Sequence, residues 1–538
     1  MSKFKEYSAL DLSAVNKSIL DFWSQESVFE KSLCEKNKSY NFYEGPPSAN
    51  GMPGIHHVIA RTIKDLFCRY KTLKGFNVYR KAGWDTHGLP VELGVEKELN
   101  ITKEDIGTKI SIEDYNKACR VNVMKYQAAW EDITAKMGYW VDMKNPYVTY
   151  DNKYIESVWW LLKQLHNKNL LYKGHTVQPF SPKAGTGLST HELNQPGCYR
   201  NVKDTSAIAQ FKIIKNNHSK FLFEKPDKSI FFLAWTTTPW TLPSNTALAV
   251  GKKITYVLVE TVNQYNGDIY CVILAKDLLS KHFKTENENI SFETYEVGNK
   301  SRPYVVLKEF AGDLLVGLVY DQLLKYAVPK NGDAFRVLAG DFVTTEDGTG
   351  IVHLAPSFGA DDNRVAKQNG IGSLTLVDEQ GRFTKEVNDF YGQYVKDEFY
   401  TENDTKPKLP ADVQIIIKLK ESGLLFNSEK YEHSYPHCWR TDKPILYYPM
   451  DSWFVKTTEH KQRMMELNKT INWKPSSTGE GRFGNWLENL VDWNLSRSRF
   501  WGIPLPIWRT ENGKEEICIG SLEDLKAEID RSVNLGFM

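Results

Sequence analysis

The sequence lacks any apolar stretch long enough to cross a membrane. A helix that spans a bilayer needs about 20 consecutive apolar residues, whereas the apolar run Ile230–Trp235 is only six residues long. The first residues, MSKFKEYSALDLSAVNKSILDFW, contain no apolar stretch of signal-peptide length. We therefore predict a cytoplasmic protein with no membrane partner.

Paired cysteines are also lacking. The chain has 7 cysteines, an odd number, and none of them belongs to a C-x-x-C pair. This pattern excludes a disulfide framework and contains no zinc motif, which needs four ligands at short spacings. Cys438, in the segment HCWRTD, has Thr441 where a second thiolate would stand. The sequence thus predicts a reduced setting, no zinc and no other metal held by side chains.

Net charge is nearly absent, because 68 basic and 67 acidic side chains leave a formal charge of +1 at pH 7. A nucleic acid would have to be held by local basic patches, since the field of the whole chain is weak. The chain has 538 residues, of which 41% are hydrophobic and 25% charged. This length is too great for one hydrophobic core, so we expect two or more domains.

The hydrophobic pattern divides the chain into three parts. Residues 1–185 alternate helical patterns with short apolar segments, which is typical of an α/β fold with a parallel, doubly wound sheet. Short β-branched and aromatic runs make 186–405 a β-rich, barrel-like domain. Residues 406–538 return to helical and aromatic character. Helices are predicted over 58–73, over 114–137 and from 153 onward. Strands are predicted at Ile230–Trp235, Tyr256–Glu260, Ile269–Leu274, Tyr304–Leu307 and Ile351–Leu354.

A turn rich in glycine and proline, GPPSANGMPGIHH, leads into the first of these helices. Free backbone N–H groups and the helix dipole make such a helix N-terminus favourable for an anion. The turn matches neither a Walker loop nor a GxGxxG motif. Judged on these residues alone, a tight proline turn with two surface histidines is the leading alternative to a phosphate site.

Three segments in order, GPPSANG, GWDTHGLPVE and WNLSRSRFWGIP, resemble the signature segments of class I isoleucyl-tRNA synthetases. The resemblance extends over essentially the whole chain. It implies an α/β fold in which a split Rossmann-like nucleotide-binding domain, incomplete at its C-terminal side, carries an inserted β-barrel-like editing domain. The first half of the catalytic domain would be 1–185 and the editing domain 186–405. The return segment and the start of the second half would be 406–538.

The family's second adenylation signature, a lysine-containing loop, and its anticodon-binding domain are not found in these residues. We therefore expect poor adenylation by this chain alone. The partners implied by the resemblance are tRNA(Ile), L-isoleucine and ATP with Mg²⁺, bound by a monomer. Two other classes of function stay open, a free-standing editing deacylase and a non-catalytic RNA-binding fragment. Hydrolysis of Val-tRNA(Ile) would separate these two.

The resemblance implies that L-isoleucine is ligated to tRNA(Ile) through an isoleucyl-adenylate. Imidazoles and helix-end amides would stabilise the charge that builds on the phosphoryl oxygens. Pro47, Gly54 and His57 are the implied ATP-binding residues, and His56 and His57 are the implied catalytic residues. Gly54-Ile55-His56-His57 departs from the family's signature, in which histidine stands first and glycine third. We expect His56 to supply the missing imidazole and Gly54 the space; the alternative is a weakened site.

The isoleucine substrate is expected to contact Pro46, Asp85 and Trp501. Asp85 would pair with the substrate ammonium group, which offsets the cost of desolvating both charges. Pro46 and Trp501 would line an apolar pocket. A helix-capping role for Asp85 and plain core positions for the other two are the alternatives. Arg497 and Arg499 are candidates for phosphate or tRNA contacts, or for a solvated face.

A second, hydrolytic site is implied by the family, because an apolar pocket discriminates poorly against a side chain that is smaller by one methylene. Two segments resemble that site, WTTTPWTLPSN at 235–245 and GTGIVHLAPSFGADD at 348–362. For the threonine-rich segment taken alone, plain β propensity is the alternative. The editing residues implied by the two segments together are Thr236, Thr237, Thr238, Thr241, Asn245, His353 and Asp362.

The resemblance also implies a role for each of these side chains, and ester hydrolysis at such a site needs hydroxyls and a carboxylate but no metal. The threonine hydroxyls would place a water and restrict the side-chain cavity. Asn245 would bind the substrate or order its loop, and His353 would orient the terminal ribose. Asp362 would hold the α-amino group of the wrong amino acid. Asp361 is the neighbouring alternative to Asp362.

Overall fold

The computed structural model of the protein describes residues 9–33, 38–224 and 228–538. Two compact units divide the chain. Unit 1 holds the residues up to Leu171 together with Arg499–Met538, and unit 2 holds Tyr172–Ser498. The predicted domain limits at 185 and 405 do not coincide with the limits of these units.

Unit 1 is mainly helical. Two strands, Lys81–Trp84 and Asp142–Val148, pair in parallel, and Ile507–Arg509 pairs antiparallel with Glu516–Cys518. In the described part of this unit the parallel pair is smaller than the predicted doubly wound sheet, and the split nucleotide-binding domain stays a prediction. The helices are Leu12–Gln25, Val28–Ser32, Ile55–Leu73, Leu89–Leu99, Ile112–Val123, Gln127–Lys136, Asn152–Asn167 and Leu522–Asn534.

The single helix predicted over 114–137 is wrong, because the structure has two helices there, Ile112–Val123 and Gln127–Lys136. The break falls where the Tyr126 N–H donates a hydrogen bond of 2.9 Å to the carbonyl oxygen of Ala49. That amide is thereby withdrawn from the helical i→i−4 pattern. Ala49 belongs to the segment GPPSANG, so this hydrogen bond connects the pair of helices to the glycine-proline turn.

Unit 2 is built on a mixed sheet that has nine strands within the described residues. All five predicted strands are confirmed, and four of them are longer than predicted. Along the sheet the strands lie in the order Tyr304–Ala311, Thr255–Val262, Ile269–Ala275, Ile230–Thr236, Ile351–Leu354, Ala247–Val250 and Arg336–Ala339. Tyr199–Lys212 pairs with Ile230–Thr236 and also with Leu425–Pro436, so the sheet includes residues beyond 405. Closure of the sheet into a barrel stays a prediction.

A smaller sheet joins Trp493–Asn494, Leu446–Val455, Leu171–Ser181 and Thr186–Gly187 in that order. The α-helices of unit 2 are Thr190–Leu193, Leu279–His282, Ala360–Gln368, Ala411–Glu421, Lys461–Asn468 and Gly484–Glu488. Among the described residues of both units, no helix combines the length and the apolar character that crossing a bilayer requires.

The large sheet brings the two predicted editing segments together. Val352 pairs with Trp235 between two parallel strands, and His353 lies opposite Leu248 on the next strand. Residues far apart in the sequence therefore end on neighbouring strands. Gly350, which precedes the strand Ile351–Leu354, has a φ of +73° and no room for a Cβ atom, so this turn requires glycine.

Candidate functional site

In unit 1, the glycine-proline turn and the start of the helix Ile55–Leu73 line a cavity of about 420 Å³. Pro46, Pro47 and His57, three of the predicted site residues, lie in its wall. Arg61 and Lys64, on the same helix, add positive charge to the wall. Neither residue was among the site residues predicted from the sequence. They follow His57 by four and seven residues, a spacing that places all three side chains on one face of the helix. This spacing could have predicted both residues.

His57 caps the helix in which it lies. Its Nδ1 accepts a hydrogen bond of 2.9 Å from the Gly54 N–H, so a neutral ring carries its proton on Nε2. Burial lowers the pKa of His57, and the nearby His56 and Arg61 lower it further. The ring therefore stays neutral near pH 7, and its Nε2–H can donate to a phosphate oxygen.

His56 is exposed and is not among the residues that line this cavity. Its ring centroid lies 3.8 Å from that of His57. A Cβ atom added at Gly54 would come within 2.9 Å of the His56 ring. Glycine at position 54 thus leaves the space that this ring occupies, while the catalytic role of His56 stays a prediction.

The carboxylate of Glu92 joins the segment GWDTHGLPVE to the residues Arg499–Trp501. One of its oxygens accepts hydrogen bonds from the backbone N–H groups of Phe500 at 3.1 Å and Trp501 at 3.0 Å. The Trp501 Nε1–H donates to the carbonyl oxygen of Thr86 at 2.6 Å. Trp501 is thereby fixed beside the predicted ammonium-binding segment, with its side chain buried.

The Arg499 side chain forms ion pairs within unit 1. Its side chain is 5% exposed, and its guanidinium pairs with the carboxylates of Glu92, at 3.0 Å, and Glu96. These two buried partners disfavour the predicted contact of Arg499 with phosphate or tRNA. Arg497, in unit 2, is exposed and lies 3.1 Å from the Glu192 carboxylate, so its role stays a prediction.

Asp85 lies directly beside the glycine-proline turn, because its N–H donates to the carbonyl oxygen of Pro47 at 3.0 Å. Desolvation raises the pKa of its carboxyl, and a hydrogen bond from the His87 backbone opposes this; no basic side chain of the described ranges contributes. Such a carboxylate can accept an ammonium group. Trp501 does not line the cavity that contains Pro46, so a pocket shared by these two stays a prediction.

In unit 2, the two segments predicted to form the editing site share a buried hydrogen-bond network. His353 Nε2 lies 2.8 Å from Thr241 Oγ1, and His353 Nδ1 lies 3.3 Å from Asn245 Nδ2. All three side chains are buried, and His353 is 7% exposed. Burial lowers the pKa of His353 to about 4, so its ring is neutral at pH 7. With both ring nitrogens hydrogen-bonded, His353 supports the threonine-rich segment, and its contact with the terminal ribose stays a prediction.

The threonine hydroxyls differ in what they bind. The Thr238 N–H donates to Thr236 Oγ1 at 3.1 Å, and the Thr241 hydroxyl donates to the Thr238 carbonyl oxygen at 2.8 Å. Thr237 is half-buried, and its hydroxyl has no hydrogen-bond partner within the described ranges. Of the four threonine hydroxyls in this segment, that of Thr237 is the one with no hydrogen-bond partner among the described residues, so it can bind a water or a substrate.

Asp362 and Asp361 face different surroundings. Asp362, in the first turn of the helix Ala360–Gln368, accepts a hydrogen bond of 2.8 Å from the Ala355 N–H, and burial raises its pKa to about 7. Asp361 is exposed and lies 3.0 Å from Arg364. Asp362 is thus the carboxyl that contacts the second motif segment, at Ala355, and its role in binding a substrate stays a prediction.

Two residues that hold the site were missed by the sequence analysis. The Tyr320 hydroxyl donates to Asn245 Oδ1 at 2.7 Å. The Asp412 carboxylate accepts a hydrogen bond of 2.7 Å from the Trp240 N–H and so caps the short 3-10 helix that carries the last threonine. Neither residue lies in a recognisable motif, because each reaches the site from a remote part of the chain.

Within the described ranges, no group of three or more histidine, cysteine, aspartate or glutamate side chains could hold a metal ion. Six cysteines are buried and unpaired, and the remaining one, Cys34, lies outside the described residues. The expected absence of zinc stays a prediction.

Comparisons with known proteins agree with the sequence motifs. The family of class I tRNA synthetases (I, L, M and V) matches residues 18–534. An isoleucine–tRNA ligase of Cytophaga hutchinsonii is 60% identical over 547 aligned residues, which cover 98% of this chain and 49% of that protein. One of Bacteroides thetaiotaomicron is 56% identical over 583, covering 100% and 50%. The chain spans about half the length of the curated relatives it matches.

Among solved structures, a LeuRS–tRNA–LeuAMS ternary complex of Agrobacterium radiobacter is 14% identical, with a TM-score of 0.35, and the match covers 94% of this chain and 51% of that one.

Proposed function

The chain belongs to the class I tRNA synthetase family, and from this premise we propose that it is part of an isoleucyl-tRNA synthetase, which ligates L-isoleucine to tRNA(Ile). Relatives named isoleucine–tRNA ligase, 60% and 56% identical, support this choice of amino acid. Because these relatives are named as ligases, they do not favour a free-standing deacylase or a non-catalytic RNA-binding fragment. A split Rossmann-like catalytic domain, an inserted barrel-like editing domain, a monomeric state and a cytoplasmic location belong to the same proposal.

The adenylation site is proposed at the cavity beside the glycine-proline turn. ATP enters with Mg²⁺ as its substrate complex. The isoleucine carboxylate attacks the α-phosphorus, the bond between the α- and β-phosphates breaks, and pyrophosphate leaves. Nε2–H of His57 and the cations Arg61 and Lys64 then face the charge that builds on the phosphoryl oxygens. Lys64 also pairs with Glu44 at 2.7 Å, and Arg61 is buried. Asp85 accepts the ammonium group of isoleucine.

The editing site is proposed at the network around His353. Hydrolysis of Val-tRNA(Ile) breaks the ester between the valine carbonyl carbon and the terminal ribose, and water supplies the new oxygen. Deprotonated Asp362 binds the valine ammonium group, which in turn stabilises the charged carboxylate against its burial. The free hydroxyl of Thr237 helps to place the water. The hydrogen bond to His353 orients the Thr241 side chain.

The observation that carries this proposal is the bond between His353 Nε2 and Thr241 Oγ1, which joins two motif segments 112 residues apart. It supports a single site made of both segments. If the two segments were unrelated strands exposed to solvent, no buried hydrogen bond between their side chains would be expected.

Calorimetric titration with amide analogues that resist hydrolysis, valyl-adenosine and isoleucyl-adenosine, tests the proposal. We expect the valyl analogue to bind at least about tenfold more tightly, since an extra methylene has no room in a site for the smaller side chain. Asp362→Asn should weaken binding of the valyl analogue about tenfold or more, whereas the matched variant Asp361→Asn should bind like the wild type. Equal affinity of the wild-type chain for the two analogues would contradict the proposal.

A further inference from the structure

The carboxyl group of Asp362 is turned back across the start of its own helix. Asp362 stands third in the helix Ala360–Gln368, and its side chain accepts a hydrogen bond of 2.8 Å from the Ala355 N–H, seven residues earlier. Ala355 is 1% exposed and directly follows the strand Ile351–Leu354, which carries His353. This hydrogen bond therefore holds the carboxyl at the end of the strand of the second motif segment.

Gly359, the residue that precedes this helix, leaves the space in which the carboxyl lies. A Cβ atom added at Gly359 would come within 2.6 Å of the carboxyl carbon of Asp362 and within 2.9 Å of each carboxyl oxygen. These are the three atoms nearest to that Cβ. Carbon atoms in ordinary contact are about 3.5–4.0 Å apart. A methyl group at position 359 and the Asp362 carboxyl thus cannot occupy their places together.

The backbone of Gly359 does not itself require glycine. Its φ of −142° and ψ of 134° lie in the extended region, which any residue adopts. Gly350 differs in this respect, because its positive φ already disfavours a side chain. At position 359 the contact with the Asp362 carboxyl is therefore what opposes a side chain.

An added methyl group would displace the carboxyl and not merely turn it. Because the overlap involves the carboxyl carbon and both oxygens, rotation about the Cβ–Cγ bond of Asp362 cannot relieve it. Rotation about the Cα–Cβ bond can, and it carries the carboxyl to another staggered position, away from the Ala355 N–H. Since the end of a short side chain moves at little cost, Gly359→Ala should fold while the carboxyl leaves its place.

We propose that Gly359 is a positioning residue of the editing site, which leaves the space where the Asp362 carboxyl meets the ammonium group of the substrate. The inference rests on the proposed function, in which Asp362 binds valine. In Gly359→Ala the carboxyl keeps its charge but loses its place at the end of the strand. Burial raises the pKa of this carboxyl to about 7. A displaced carboxyl regains contact with water, so its pKa should fall toward the ordinary value of 3.8.

The experiment compares the wild type, Gly359→Ala, Asp362→Ala and the double variant, each as the whole 538-residue chain. Gly481→Ala is the matched control, because Gly481 also lies in unit 2, has no positive φ and has open space around an added Cβ. Calorimetric titration with the valyl-adenosine amide analogue measures binding. The pKa of Asp362 is read from the ¹³C shifts of aspartate-labelled protein, in which Asp362→Ala identifies the signal.

We expect Gly359→Ala to weaken binding of the valyl analogue about tenfold or more and to lower the pKa of Asp362. Gly481→Ala should match the wild type in both measurements. Because Asp362→Ala removes the group that the methyl would contact, the double variant should bind within about twofold of Asp362→Ala. A purely structural effect at position 359 would instead add to the effect of Asp362→Ala.

Unchanged binding or an unchanged pKa of Asp362 in Gly359→Ala would overturn the proposal. A double variant that binds more than about twofold more weakly than Asp362→Ala would do so too. If Gly359→Ala does not fold, folding of the double variant supports the proposal, and failure of the double variant to fold overturns it. If the wild type does not bind the valyl analogue, the proposed function is rejected instead, and the pKa of Asp362 in the wild type and in Gly359→Ala still decides the positioning role.

Discussion

Asp362→Asn is expected to stabilise unit 2 at neutral pH while it removes the charge proposed to hold the substrate. Burial raises the pKa of Asp362 from its ordinary value of 3.8 to about 7. The folded state therefore binds this proton more tightly than the unfolded state. Stability from this group is fully present below about pH 4 and is lost as the pH rises toward 7.

The size of the effect follows from the same pKa difference, which corresponds to about 4 kcal/mol of free energy of unfolding. Because the side chain is only partly buried and keeps some contact with water, we expect roughly half of this, about 2 kcal/mol. Asparagine does not ionise, and its Oδ1 can still accept the hydrogen bond from the Ala355 N–H. The substitution should therefore remove the penalty without opening a cavity.

Urea unfolding followed by tryptophan fluorescence measures this difference at pH 8 and at lower pH. We expect Asp362→Asn to raise the free energy of unfolding of unit 2 by about 2 kcal/mol at pH 8, with the gain shrinking as the pH falls toward 4. Asp361→Asn, which changes an exposed acid, should alter stability by less than about 0.5 kcal/mol. A loss of stability in Asp362→Asn at pH 8, or a gain that does not depend on pH, would refute the reasoning.

Two further substitutions test the packing that holds the sites. Arg499→Ala leaves two buried carboxylates without their cation and should lower the free energy of unfolding of unit 1 by about 3–5 kcal/mol. Arg497→Ala should lower the free energy of unfolding by less than about 1 kcal/mol. Similar thermal unfolding shifts for the two variants would contradict the burial of Arg499. Gly350→Ala places a Cβ atom 2.4 Å from a neighbouring alanine Cβ at a φ of +73°. It should cost more than about 2 kcal/mol in chemical unfolding. Gly370 has a φ of +66° and open space around it, so Gly370→Ala should cost only the backbone contribution of about 1 kcal/mol. A larger loss of stability in Gly370→Ala than in Gly350→Ala would show that space at position 350 is not limiting.

The strands of unit 2 were predictable because each is a short apolar or β-branched run bounded by polar residues. Ile351–Leu354 was predicted to the residue, and Tyr304–Ala311 was predicted only in its first half, since Lys308 and Glu309 interrupt the apolar run. The break between Ile112–Val123 and Gln127–Lys136 was missed. Its cause, the bond from Tyr126 to the glycine-proline turn, is a tertiary contact that periodicity does not report.

The candidate sites divide in the same way. Thr241, Asn245 and His353 were predicted because they belong to motif segments, and the sheet then brings those segments together. Tyr320 and Asp412 could not be predicted, since each makes its hydrogen bond to the site from a position remote in the sequence. Sequence motifs thus identify the groups that would meet a substrate, whereas the groups that orient them appear only in the structure.

Hydrolysis of Val-tRNA(Ile) compared with Ile-tRNA(Ile) by the 538-residue chain tests most directly whether the two motif segments of unit 2 form an editing site. We predict faster release of valine than of isoleucine by the wild type, and loss of this discrimination in Asp362→Ala. Equal release of the two amino acids by the wild type, or release that is unchanged in Asp362→Ala, would contradict the assignment of this network as an editing site.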